Sequence, residues 1–164
     1  MLATAVLIYA GAMTLANLSV ATFGPVVSPV NAFLLIGLDL TLRDWLHVRL
    51  RPLQMLTLIC AAGLLTLVLN SSAAHIAIAS AVAFASAALV DWAAFARLRG
   101  SWLRRANGSN IAGAAVDSLV FPALAFPMLP LSVLAPIVAM QFVAKVAGGA
   151  MWSAVIVKAW GAGR

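Results

Sequence analysis

The stretch from Ser109 to Phe126, SNIAGAAVDSLVFPALAF, decides how the rest of the chain is read. It is almost wholly apolar, yet it carries Asn110, Asp117 and Ser118. An ionisable group at bilayer depth costs about 2.5–3.5 kcal/mol on insertion scales, so a carboxylate there points to function and to a partner close by. Asn110, Asp117 and Phe121 stand at i, i+7 and i+11, on one face of a helix, with Gly113 and Ala114 beside them. Pro122 removes the N–H that would bond the carbonyl of Ser118. In lipid that carbonyl needs a partner from protein, water or solute. A carboxylate, an amide and a loose carbonyl on one face make a polar pocket for a solute rich in N–H donors.

Composition places this stretch in a membrane. The 164 residues are 65% hydrophobic and 9% charged, with a mean hydropathy of +1.10. Soluble domains carry about 25% charged residues. A transmembrane helix takes about 20 residues, so the chain has room for six or seven spans in one bundle and none for a soluble domain. The net charge of +6 does not indicate a nucleic-acid partner, because basic residues of such a chain are sorted into loops. Cys60 is the only cysteine, inside an apolar run, so a disulfide and a thiolate metal site are both excluded. All four acids are aspartates, Asp39, Asp44, Asp91 and Asp117.

Taken in order, the chain divides into six spans. The first is Leu2 to about Phe23; it lacks a basic leading region and stays apolar beyond Ala12, unlike a cleaved signal peptide. Asn17 is its one strongly polar residue, and Pro25 and Pro29 mark the turn that follows. The second runs from about Val30 to His47. There Asp39 and Arg43 stand at i, i+4 in the favourable acid-first order, while Arg43 and Asp44 can also be read as interfacial side chains beside a basic loop. The third, Leu53 to Leu69, reads as scaffold. The fourth, about Ala74 to Phe95, is rich in Ala and Ser and suited to close packing. Asp91 lies near its end, within reach of Arg97, and His75 reads as a wetted interfacial residue. Arg97, Arg99, Arg104 and Arg105 fall in one short loop. The fifth span is the opening stretch. The sixth, about Ser132 to Trp160, aligns Gln141, Lys145, Gly148 and Trp152 on one face. Lys145, mid-span, needs a buried anion or a shifted pKa, and Asp117 and Asp39 are the candidate partners.

The basic residues Arg49/Arg51, Arg97 to Arg105 and Lys158/Arg164 occupy alternate connections, while those near 24–30, 70–74 and 128–132 have no Lys or Arg. The positive-inside rule then predicts an all-α, polytopic six-helix bundle, one domain over 1–164, with both termini cytoplasmic.

Polar groups from four spans can face one cavity: Asp39, Arg43, Asp91, Asn110, Asp117, Ser118, Gln141 and Lys145, with Trp152 or Phe121 to stack on a ring. Such convergence is the build of a transporter site near the midplane. A carboxylate accepts two N–H bonds side by side, as from a guanine-like edge. A second reading is a membrane enzyme. DWAAFARLRG followed by GAAVDS is similar to the CDP-alcohol phosphotransferase signature. Asp91 is one residue too far from Ala96-Arg97, however, Trp92 replaces the glycine, and Phe121 replaces the last aspartate. Two carboxylates are too few to hold that chemistry's metal. A structural subunit without ligand leaves Asp117 and Lys145 unexplained.

The pieces DLTLRDW (Asp39 to Trp45), ALVDWAAFARLR (Ala88 to Arg99), SNIAGAAVDSLVFPALAF and QFVAK (Gln141 to Lys145) resemble, in order, the queuosine-precursor transporter family, also called the vitamin uptake transporter or VUT family. The resemblance covers about two-thirds of the chain, and SN-x-x-G-x-x-x-DS-x-x-F is its most specific part. It implies six spans and a bacterial inner-membrane location. It implies import of 7-cyano-7-deazaguanine or 7-aminomethyl-7-deazaguanine for tRNA queuosine synthesis; the residues themselves show no metal-spaced histidines and no phosphate loop, so no cofactor or metal is expected. By position, Asp39, Arg43, Asp91, Asn110, Asp117 and Lys145 are the polar motif residues. The family is also similar to the substrate-binding subunits of energy-coupling-factor transporters, which would bring ATPase subunits as partners. Ala12-x-x-x-Ala16 is similar to their docking face, and a homo-oligomer is the other assembly considered.

Overall fold

Gly24 sets the first corner of the fold. Its φ of 71° lies in the left-handed region that glycine enters without steric cost, and it ends α1, Leu2–Phe23. A short 3-10 turn, Gly24–Val27, follows, with Pro25 at its start. The chain then re-enters a helix for residues 28–47, here α2. This helix is built from Ser28–Asn31, a π-helical turn Ala32–Ile36, and Gly37–His47. Pro29 sits in its first turn, where its missing N–H costs nothing. The helix therefore starts ahead of the expected Val30.

The other helices are α3, Pro52–Leu69, α4, Ala74–Arg97, α5, Trp102–Ala125, and α6, Leu131–Trp160. Pro52 opens α3, and the backbone N–H of Arg51 donates to Gln54 Oε1 at 2.8 Å, half of a capping arrangement. Ser101 caps α5 by accepting the N–H of Arg104 at 3.4 Å. This cap corrects the sequence expectation at one point. Arg104 and Arg105 belong to the first turn of α5 and not to a loop, because Ser101 starts the helix well before Ser109. Pro122 lies inside α5, and the helix continues to Ala125.

The computed structural model describes residues 1–160, so the expected basic end residue Arg164 lies outside the described residues. Among those residues four helical runs are long and apolar enough to cross a membrane: Leu2–His47, Pro52–Leu69, Ser71–Arg97 and Leu131–Trp160. The first contains both α1 and α2. Helix α5 falls short of the same standard because Asn107, Ser109, Asn110, Asp117 and Ser118 dilute it, and the last four of these are buried inside the bundle.

The helices pack with their apolar sides outward and their rare polar groups inward, the reverse of a soluble bundle. Leu7, Leu15, Leu53, Val68, Leu89, Leu119 and Val143 are exposed, whereas Asp39, Asp44, Asp91, Asp117, Arg43 and Lys145 are all buried. Tyr9, Met13, Leu40, Leu42, Trp45, Leu46, Ile59 and Phe84 form the apolar core around them. One end of the bundle gathers the basic residues. There Arg105 donates to the Phe95 carbonyl at 2.9 Å, Arg49 lies over Trp45, and Trp45 meets Trp160 at 5.3 Å.

Helices α2 and α6 touch backbone to backbone. A Cβ on Gly37 would lie 2.7 Å from the Gly148 carbonyl carbon, and a Cβ on Gly148 would strike the Phe33 carbonyl. Thr41 Oγ1 donates across the crossing to the Gly149 carbonyl at 3.1 Å. The π turn shifts the helical bonding pattern there, and Trp152 Nε1 donates to the Leu34 carbonyl at 3.0 Å. Ala12 and Ala16 are each 5% exposed. They pack inside the bundle and do not present the outward docking face expected of them.

Candidate functional site

Asp117 is carried into the bundle by the small residues around it. Gly113 and Ala114, one turn back on α5, let that helix lie close to α4. Lys145 comes from the middle of α6, where its ammonium lies 2.7 Å from Asp117 Oδ2. The same Nζ donates to Ser118 Oγ at 3.1 Å and to Gln141 Oε1 at 3.0 Å. Its three protons thus have three acceptors, which is what a buried ammonium requires. Of the two anions proposed for Lys145, the structure selects Asp117. Ser118 takes part through its hydroxyl.

A narrow cleft opens over this pair, between α1, α2, α4, α5 and α6. Asp117, Gln141, Lys145 and Phe121 wall one side, and Asn17, Ser28 and Asn31 stand opposite. Phe121 meets Phe126 edge to face at 6.0 Å. Asp117 Oδ1 and Gln141 Nε2 are buried without a hydrogen-bond partner. An acceptor and a donor, both unsatisfied and both on residues of the cleft wall, are costly unless a ligand or water completes them.

Asp39 and Arg43 form the expected ion pair at 2.6 Å. They lie deeper than the cleft, beside Tyr9, whose hydroxyl is buried without a hydrogen-bond partner. Arg43 also lies 5.6 Å from the ring centre of Phe84, which lines the cleft.

Three expected positions fall elsewhere. Trp152 is not in the cleft wall, because its indole is held by the Leu34 carbonyl at the α2–α6 crossing. Asn110 faces the Gly149 side of that crossing, where a Cβ on Gly149 would lie 3.4 Å from its Nδ2. Neither amide atom of Asn110 has a hydrogen-bond partner. Asp91 does not pair with Arg97, which donates instead to the Ala93 carbonyl at 3.3 Å. Asp91 is buried against Gly113 of α5, and one turn back Ser109 donates to Asp44 Oδ1 at 3.2 Å. Asp44 is therefore an interior group and not an interfacial one.

Sequence reasoning missed Tyr9, Ser28, Asn31 and Ser80. The signal for Tyr9 is its rarity, since it is the only tyrosine in the chain. Asn31 donates to Ser19 Oγ at 2.5 Å, tying α2 to α1 at the mouth of the cleft.

Polar groups from five helices meet inside a bundle whose exterior is apolar, and this is the architecture of a multi-pass membrane transporter. The chain matches, over residues 4–158, the family described as putative vitamin uptake transporter, and it belongs to that family. It is a transporter and not an enzyme, which sets aside the phosphotransferase reading. No curated protein matches the chain, and no solved structure does.

Proposed function

We propose that this chain imports a queuosine precursor, 7-cyano-7-deazaguanine or 7-aminomethyl-7-deazaguanine, across the bacterial inner membrane. The observation that carries the reading is the pairing of an unsatisfied acceptor, Asp117 Oδ1, with an unsatisfied donor, Gln141 Nε2, on one cleft wall beside Phe121. A guanine-like edge supplies N–H donors to the carboxylate and a ring carbonyl to the amide, while Phe121 covers the ring face. Family membership and the resemblance of the Ser109–Phe126 stretch support a solute of this kind.

In this reading the six helices each span the bilayer as one domain, 1–164. The basic end faces the cytoplasm by the positive-inside rule. The cleft then lies in the outer half, where residues 24–31 join α1 to α2. Asp117, Gln141, Lys145, Ser118 and Phe121 contact or position the solute. Asp39 and Arg43 hold the floor beneath it. Asn110 and Trp152 act at the α2–α6 crossing, and Asp91 acts at the basic end.

The test is uptake in cells unable to make the precursor, scored by queuosine in tRNA, together with binding to purified protein. Asp117→Asn removes the charged acceptor Oδ1 offers to the solute's N–H groups, and its affinity is expected to fall about tenfold or more, since a hydrogen bond to a charged group contributes about 1.5–3 kcal/mol. Unchanged affinity removes Asp117 from the site.

A further inference from the structure

Six charged side chains are buried in the bundle, four carboxylates against two cations. Arg43 is matched to Asp39 and Lys145 to Asp117, at 2.6 and 2.7 Å. Asp44 and Asp91 are left over. Both face one turn of α5 toward the basic end: Ser109 bonds Asp44, a Cβ on Gly113, four residues on, would lie 3.2 Å from Asp91 Cβ, and each carboxylate is fully buried. The Ser109 hydroxyl donates to Asp44, at 3.2 and 3.4 Å to its two oxygens. A hydroxyl has one proton to give. Both oxygens of Asp91 are without a donor.

The surroundings supply no second cation in contact. On α2, Arg43 keeps its bond to Asp39, with Nε and Nη1 unpartnered. Half-buried His47 is held between Trp92 and Phe95, at 6.1 and 5.5 Å. On α5, Arg105 is bonded to the Phe95 carbonyl, and Asp117 is bonded to Lys145 of α6. On α4, Arg97 bonds its own helix, and on α1 the facing group is Tyr9, beside Asp39. Helix α3 contributes Met55 and Ile59 to the nearby wall and no ionisable group.

Two neighbouring carboxylates inside a low-dielectric interior resist being ionised together, because each raises the cost of charging the other. One proton between them removes one negative charge. It also creates the missing donor, an O–H from one carboxyl to an oxygen of its neighbour. Among the described residues no third Asp, His or Cys joins them as a metal-holding group. The donor set is poor for a metal and complete for a proton.

We propose that Asp44 and Asp91 form a proton-binding site, holding one proton between their two carboxylates at neutral pH. The site is distinct from the solute cleft and does not depend on which solute the chain carries. Access is built in. A second cleft, between α2, α3 and α4, is lined by Asp91, Arg43 and His47 and otherwise by apolar side chains. His47 stands between the dyad and the basic end, as a carrier for the proton to water. Gly113 lets α5 close over the pair, since a Cβ there would lie 3.2 Å from Asp91 Cβ.

The experiment is infrared spectroscopy of the full chain in lipid nanodiscs, reading the carbonyl band of protonated carboxyl groups. At neutral pH the native protein is expected to show such a band, at an intensity of one protonated carboxyl per chain. The band should shift in deuterium oxide and with isotope-labelled aspartate. Asp44→Asn combined with Asp91→Asn should abolish it, in protein that still elutes as a folded species. A native protein with no protonated aspartate at neutral pH overturns the proposal whatever the variants do. So does a band that survives the double substitution unchanged, which would place the proton on Asp39 or Asp117.

Discussion

Lys145 Nζ stands 2.7 Å from Asp117 Oδ2, with both side chains almost fully shielded from the surroundings. Two charges taken out of water in this way hold each other, and removing one leaves the other uncompensated. Lys145→Met should therefore destabilise the protein by about 3–5 kcal/mol, because Asp117 is left charged without its cation. Adding Asp117→Leu should restore much of the loss, since an apolar pair of similar volume is often no worse than a buried ion pair. Thermal unfolding in detergent reads both variants. A single variant as stable as the native protein would mean that the pair does not form.

The α2–α6 crossing makes a sharper claim about shape. At Gly148 an added methyl meets the Phe33 backbone, whereas at Gly11, in the interior of α1, it meets nothing within 4 Å. Gly148→Ala must push the two backbones apart and strain the bond from Thr41 to the Gly149 carbonyl. Forcing an extra carbon into a packed contact costs about 1–3 kcal/mol. Gly11→Ala removes backbone freedom from the unfolded chain without a clash, and should raise stability by about 0.5–1 kcal/mol. The two melting temperatures are expected to move in opposite directions. A shared direction would contradict the close approach.

Sidedness is testable with single cysteines placed in a Cys60→Ser background, since Cys60 is exposed on the bundle surface. Ser71 lies in the turn between α3 and α4, and Arg99 lies in the connection between α4 and α5; both are exposed. In intact cells a membrane-impermeant maleimide should label Ser71→Cys. Arg99→Cys should react only after permeabilisation, because the basic connections face inward. The reverse pattern would invert the proposed orientation.

The sequence carried the helical bundle and its ion pairs further than it carried the site. Helices were legible because apolar runs and prolines are local signals, and Asp39–Arg43 was legible because i, i+4 is a local distance. The Lys145–Asp117 pair was narrowed to two candidates, but choosing between them required the packing of α5 against α6. Asp44 stays open in the sequence, and Trp152 is misplaced, for one reason. Each reads locally as an interfacial or stacking residue, and each is claimed by a partner far along the chain, Ser109 and the Leu34 carbonyl. Asn31 and Tyr9 were overlooked because a lone polar group in an apolar run does not show which way it turns.

A proton held by Asp44 and Asp91 inside a transporter has a consequence for transport itself. If one proton accompanies each solute, a gradient of one pH unit, acid outside, is worth about 1.4 kcal/mol and sustains roughly tenfold accumulation at zero membrane potential. Proteoliposomes loaded at neutral pH and supplied with labelled 7-cyano-7-deazaguanine read this directly. The internal concentration should exceed the external one when the outside is acidified, and should only equalise when the two sides match. With Asp91→Asn the dyad has one carboxyl left and an amide that can donate permanently to Asp44, so the site no longer needs the proton that completes it. That variant should at most equalise the solute, whatever the gradient. Accumulation in the native protein that ignores the gradient would detach the dyad from transport, while leaving its proton to the infrared measurement.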